Sequence, residues 1–170
     1  MEDEMIKCHV CGSAMESRRE NHRYTECGLS NVTIVNLEVR HCTNCGERQF
    51  VFPRVAQLHQ LLAVTTAKVP DALTGEQIRF LRKYLGWSRD EFAGIMGVEA
   101  ETVSRWENDK AKMSKAAERL LRVHVFIMNP VEEYDPESLV NMGKRDGKKP
   151  TMLRVTSSPR GWDTAPALAA

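Results

Sequence analysis

From Val32 to Arg40 apolar and polar positions alternate, with Thr33, Val35, Leu37 and Val39 on one face and Asn36, Glu38 and Arg40 on the other. A period of two is that of a strand with one covered face. A shorter strand is expected over Asn21 to Cys27, with Gly28-Leu29-Ser30-Asn31 as the turn between the two. The period then lengthens. Val55, Leu58, Leu61 and Leu62 are spaced for one helical face between Pro53 and about Ala67, and Val69-Pro70-Asp71 breaks that pattern. From 74 to 128 the pattern is helical and capping signals recur. Thr74-Gly75-Glu76-Gln77 and Ser88-Arg89-Asp90-Glu91 both fit the capping box, in which two side chains satisfy free amides of the first turn. Ile78, Leu81 and Leu85 line a first helix that Gly86 ends. Ser114 caps a last one carrying Ala117, Leu120, Leu121, His124 and Met128, and Asn129-Pro130 stops it.

Beyond Pro130 the chain is rich in Pro, Gly, Ser and charge. Glu137 to Met142 has room for one or two helical turns, and order is not expected from about 143. The pattern therefore predicts an α+β chain in four parts: a β domain over 1–52, a connecting helix and linker over 53–69, an all-α domain over 70–129, and a largely disordered tail over 130–170.

Composition narrows the chemistry. A formal charge of +1 over 170 residues identifies no partner, so any nucleic-acid surface is local. No apolar run approaches the ~20 residues that span a membrane. The opening Met1-Glu2-Asp3-Glu4 is acidic and unlike a targeting sequence, so a reducing cytoplasm is expected. In that setting Cys8-His9-Val10-Cys11 and Cys42-Thr43-Asn44-Cys45, each followed by a glycine, read as one metal site. Two residues between thiols let both sulfurs address one ion from a tight turn, and four thiolates make the closed tetrahedral set of structural zinc. A β unit this small has too little core to fold on apolar burial alone, so one zinc per chain is expected to hold it together. Neither pair opens a helix in a βαβ pattern, which argues against a redox motif. Cys27 stands apart from both pairs in spacing and is expected to be a plain thiol on a strand or turn.

Arg89 to Asn108 fits a helix-turn-helix position by position. Ala93 is small where the second helix must pass closely, Gly97 falls at the turn, and Val103 and Trp106 face inward with Phe92 and Met96. Val98 to Glu107 resembles the recognition helix of the Xre/Cro-repressor family, in which the outward residues near the helix start read base edges. Here those are Ala100, Glu101 and Arg105. Arginine can donate twice to guanine, and glutamate can accept from cytosine. The spacing of Glu101 and Arg105 also suits a surface ion pair worth ~0.3–0.5 kcal/mol. The two readings coexist if Glu101 orients Arg105 toward a base. Arg89 is expected to meet a phosphate with the amides of its helix start. Thr102, Ser104, Lys110 and Lys112 are further phosphate candidates, or part of an ordinary solvated face.

The two halves in this order resemble the MqsA family of antitoxins with their YgiT-type zinc finger. The resemblance runs over roughly residues 7–128. Its carriers are Cys8-His9-Val10-Cys11-Gly12, Tyr24 through Val32, Cys42-Thr43-Asn44-Cys45-Gly46-Glu47 and the closing Ser104-Arg105-Trp106-Glu107. It implies a structural zinc on Cys8, Cys11, Cys42 and Cys45. It also implies a zinc domain that holds a toxin, typically an RNase, and a C-terminal domain that dimerises on a palindromic operator and represses its own operon, with Arg105 reading a base. A base-reading asparagine of that family's pattern is replaced by Glu101, so the operator does not carry over. The alternative is a stand-alone zinc-containing helix-turn-helix regulator without a toxin. An enzyme is not expected, since four thiolates leave zinc no open position for water. Val123 to Met128 carries apolar residues around more of its helix than one small core can bury, which points to a symmetric dimer contact. The strand Val32 to Arg40 is expected to offer an exposed edge to the toxin. The end Ala167-Leu168-Ala169-Ala170 resembles a bacterial degradation tag, and is otherwise an inert extension.

Overall fold

A computed structural model describes residues 6–129, 136–141 and 150–165. The basic run Gly143 to Lys149 and the Leu-Ala-Ala end lie outside the described residues. Contacts divide the chain into two compact units. The first joins Met1–Tyr24, Val32–Val55 and Leu153–Ala170, and the second joins Thr25–Asn31 with Ala56–Met152.

The first unit is a five-stranded sheet of β1 (Met15–Arg23), β2 (Val32–Cys42), β3 (Arg48–Phe50), β4 (Leu153–Ser158) and β5 (Gly161–Thr164), in the order β1-β2-β4-β5 with β3 also on β2. The strand β2 is central. β1 runs antiparallel along one of its edges. Its other edge is shared by β3, antiparallel at Val39 to His41, and β4, parallel at Val32 to Val35. The expected free edge along Val32 to Arg40 is therefore paired with β1 on one side, and with β4 over Val32 to Val35 and β3 over Val39 to His41 on the other.

Three further expectations change. First, β1 starts at Met15 and ends at Arg23, ahead of the expected Asn21 to Cys27. Its sequence MESRRENHR is almost wholly polar, as suits an edge strand, so it carries no alternation to detect. Second, β2 buries Val32, Ile34, Leu37 and Val39, and not one unbroken alternate set. The pairing shifts between Glu20↔Leu37 and His22↔Ile34, so that Val35 and Asn36 lie opposite Asn21 alone. This bulge reverses the phase of the strand halfway along. Asn36 adopts φ 59°, a region asparagine tolerates better than most residues, and its N–H donates to Asn21 Oδ1 at 3.2 Å. Third, β4 and β5 form an ordered hairpin inside the expected disordered tail. Val155 and Trp162 are buried, the Trp162 indole N–H donates to Pro53 O at 2.7 Å, and Arg54 donates to Pro159 O at 2.6 Å. Two apolar anchors among Ser, Thr, Pro and Gly look unstructured until their partner strand, over a hundred residues earlier, is known.

The second unit is helical: α1 (Val55–Lys68, entering from the first unit), α2 (Gly75–Tyr84), α3 (Arg89–Met96), α4 (Ala100–Glu107), α5 (Lys115–Met128) and the short α6 (Pro136–Asn141). Both predicted capping boxes form. Thr74 and Ser88 accept from the amides of Gln77 and Glu91, whose side chains accept from the cap amides in return. The break at Val69 to Asp71 does not separate α1 from the helices that follow. Arg122 of α5, fully buried, donates to the carbonyls of Ala67 at 2.8 Å, Val69 at 2.5 Å and Asp71 at 2.8 Å, and twice to Glu118 Oε1. One guanidinium thereby satisfies carbonyls left open at and beyond the end of α1. It also rotates α5 from its expected face. Leu121, Val125 and Phe126 are buried, while Leu120 and Met128 are exposed. Among the described residues no helix is long and apolar enough to cross a membrane.

Candidate functional site

The two cysteine pairs occupy matching turns. Cys8 donates its N–H to Ser13 O and accepts from Gly12; Cys42 donates to Glu47 O and accepts from Gly46. Gly12 and Gly46 take φ 73° and 75°, left-handed values that explain the glycine after each pair. The turns bring all four Sγ atoms within 4.8 Å of one another, with Cys8–Cys45 at 3.6 Å and Cys11–Cys42 at 3.4 Å. Tetrahedral zinc–thiolate bonds of ~2.3 Å place sulfurs about 3.8 Å apart, so the cluster is the right size to hold one ion. Cys8 and Cys42 are buried, and Cys11 and Cys45 are exposed.

The acidities of the thiols make the same point. Hydrogen bonds from the Ser13 hydroxyl and amide, then from Asn44 and Cys42, bring Cys11 down to about 5. The Glu47 amide favours a thiolate at Cys45, but hydrogen bonding to Cys11, burial, and contact with Cys42 and Cys8 push it up to about 12. One thiolate forms readily, and further negative charge in so small a space needs a cation to balance it. The donor set fits a structural zinc, which when bound supplies a cross-link between the two turns. Cys27 is outside the cluster, and burial raises its thiol pKa.

The second candidate surface is on α3 and α4. Gly97 closes α3 in the left-handed region at φ 65°, and the Val98 N–H reaches back to Ala93 O at 3.0 Å. Phe92, Ala93, Val103 and Trp106 are buried between the helices. Glu101 and Arg105 are exposed on the outer side and ion-paired at 3.4 Å. Ala100 begins α4 half-buried, and Thr102 and Ser104 are half-buried along it. Lys110 and Lys112 are exposed just past its end.

Sequence reasoning missed the residue that organises this corner. The Glu107 side chain is fully buried and accepts from Arg82 Nε at 2.5 Å and Arg89 Nε at 3.0 Å, with Arg79 Nε at 3.7 Å. Burial raises the Glu107 pKa, but the hydrogen bonds and charges of Arg82 and Arg89 outweigh it and hold the carboxyl below its ordinary value. Arg89, expected to be a phosphate ligand, is thus also an ion-pair partner. The available signal was a glutamate directly after the inward Trp106, with arginines three apart on α2.

The profile of a family described as the antitoxin component of the bacterial toxin-antitoxin system, MqsA, matches residues 6–127. The chain belongs to the MqsA antitoxin family. The match takes in the four cysteines, α3, α4 and nearly all of α5. It stops short of the β4–β5 hairpin, which this MqsA-family chain adds to the sheet from outside the matched region. A comparison with curated proteins gave no match.

Proposed function

We propose that this antitoxin binds operator DNA through α3 and α4 as a helix-turn-helix, represses its own operon, and neutralises an RNase-type toxin through its zinc-bearing sheet. One observation carries the DNA reading. The same eight-residue helix buries Val103 and Trp106 and turns Glu101 of its first turn and Arg105 of its last turn outward on one side. That is the disposition required to lay a helix N-terminus in a major groove. Arg105 is the base reader and Glu101 its orienting partner. Ala100 is small enough for close approach, and Arg89, Thr102, Ser104, Lys110 and Lys112 meet phosphates. Ile127 and Met128, 69% and 65% exposed at the end of α5, support a symmetric dimer and so a palindromic site.

In this reading the toxin docks on the zinc unit, at the outer edge of β1 or β5, because both edges of β2 are occupied. Four thiolates on one ion leave no open coordination position, which supports a regulator and not an enzyme. A reducing cytoplasm is the compartment that suits this thiolate site. The stand-alone regulator remains the alternative reading.

Fluorescence anisotropy on the duplex upstream of the chain's own reading frame tests the proposal. Arg105→Ala should cost about 1–3 kcal/mol there and relax discrimination at one base pair. Equal losses on that duplex and on random DNA would remove Arg105 from base reading. Co-expression with the neighbouring small open reading frame decides between antitoxin and plain regulator.

A further inference from the structure

Glu107 gathers more positive charge than it needs. Its carboxylate is fully buried, and Arg82, itself buried, already gives it a short charge-assisted hydrogen bond and spends another nitrogen on Trp87 O at 2.7 Å. Two more guanidinium groups crowd the second oxygen. Arg89 uses only Nε there, its side chain is 52% exposed, and its terminal nitrogens make no hydrogen bond among the described residues. Arg79 gives one terminal nitrogen to Glu107 O at 2.7 Å and Asn108 Oδ1 at 3.2 Å, and its buried Nε has no hydrogen-bond partner. Glu107 and its three arginines together carry a net two positive charges, with Arg89 at the first residue of α3 and Arg79 and Arg82 on α2. Amides and helix dipole at the start of α3 also favour an anion. The neighbouring acids are Asp90, Glu91 and Asp109; the Glu91 carboxylate is turned back onto the Ser88 N–H and that of Asp109 onto the Gly75 N–H, each at 2.7 Å.

We propose that Glu107 is a positioning residue: by gripping Arg89 through Nε it aims the two terminal nitrogens of that guanidinium at a DNA phosphate, with Arg79 as a second phosphate ligand beside it. The inference rests on the DNA-binding reading above and adds to it a buried residue that never touches DNA. A guanidinium suits this task because its fork can hold a carboxylate on one side and a phosphate on another, which a lysine ammonium cannot do in fixed geometry.

The sign of one substitution separates positioning from charge. Glu107→Gln removes a negative charge near DNA, so electrostatics alone makes the variant bind tighter. Positioning makes it bind about tenfold weaker. The probes are the duplex upstream of the chain's own reading frame and a random duplex of equal length, read by anisotropy across a salt series with the full-length zinc-loaded protein. Glu107→Gln should flatten the plot of log affinity against log salt by about 0.9, the loss of one phosphate contact, on both duplexes. Arg89→Lys, which keeps the charge and loses the fork, should do the same, and Arg79→Ala should flatten it on its own. In an Arg89→Ala background Glu107→Gln should weaken binding no further. Circular dichroism checks folding. If Glu107→Gln does not fold, the Arg89→Lys and Arg79→Ala slopes decide, since both side chains are partly exposed. Tighter or unchanged binding by folded Glu107→Gln, additive losses in the double variant, or unchanged slopes for Arg89→Lys and Arg79→Ala overturn the proposal. A wild-type chain that binds neither duplex overturns the DNA reading itself.

Discussion

Replacing Arg122 by methionine should nearly unfold the helical unit. The guanidinium is fully buried and makes five hydrogen bonds, two to Glu118 and three to the carbonyls of Ala67, Val69 and Asp71. Methionine keeps much of the volume and none of the donors. Glu118, 5% exposed, is then a buried carboxylate without its cation. Breaking a buried pair in this way costs about 3–5 kcal/mol. The three carbonyls add to the loss unless water reaches them. Domains have about 5–15 kcal/mol in all, so the variant stands near the threshold. At roughly 4–8 °C per kcal/mol for a small domain, the melting temperature of the helical transition falls by about 12–40 °C. Urea and thermal melts by far-ultraviolet circular dichroism measure both quantities. A second variant, Arg122→Met with Glu118→Leu, isolates the uncompensated charge and should be more stable than Arg122→Met alone. A loss under about 1 kcal/mol in the single variant, or a double variant less stable than the single, would refute the role given to Arg122.

Chelation of the metal should unfold the sheet and leave the helical unit's melt in place. Hydrogen exchange should then rise sharply over β1 to β3 and also over Leu153–Ser158, because β4 hangs on β2, and protection there after chelation would contradict this. Gly75→Ala should destabilise the helical unit by about 1–3 kcal/mol, since a Cβ would lie 2.7 Å from Glu107 O and 2.8 Å from Trp106 O, both backbone atoms that cannot swing aside; a neutral urea midpoint would refute the clash. The lowered Glu107 pKa adds stability at neutral pH that is lost as pH falls below the ordinary value of 4.5 and through the lowered one. The wild-type urea midpoint should therefore fall more steeply with acid than that of Glu107→Gln, and parallel curves would count against it.

Features with local causes were legible in the sequence. The two cysteine turns need only the residues from Cys8 to Ser13 and from Cys42 to Glu47. Both capping boxes close within four residues, and the Gly97 turn within six. Features with distant causes were not. The phase of β2 depends on a bulge opposite Asn21, which no count of alternating residues along β2 can locate. The hairpin of Leu153–Ser158 and Gly161–Thr164 depends on an open edge at Val32 to Val35. The face of α5 depends on carbonyls left behind by α1, so that of the apolar residues read along it Leu121 is buried while Leu120 is exposed. Buried charged residues were not legible at all. Arg122, Glu118, Arg82 and Glu107 read as surface in a one-residue-at-a-time view and are all buried, because each burial is made affordable only by a partner on another turn or helix.

Those buried charges bear on how the α4 surface can change. Its N-terminal end is fixed by the Gly97 turn and the Val98 backbone bond to Ala93. Its C-terminal end is fixed by the close pass of Gly75 and by the three arginines on Glu107. Val103 and Trp106 fill the space between. None of these restraints uses the side chains of Ala100, Glu101 or Arg105, and the side-chain contact between the last two is an exposed pair of the kind worth ~0.3–0.5 kcal/mol. Substitutions at those three positions should therefore leave stability within about 0.5 kcal/mol of the parent. If the proposed DNA reading holds, α4 can exchange one operator for another by changing residues on which the fold does not depend. The glutamate at position 101 is then a difference in what is read and not in how the helix is held.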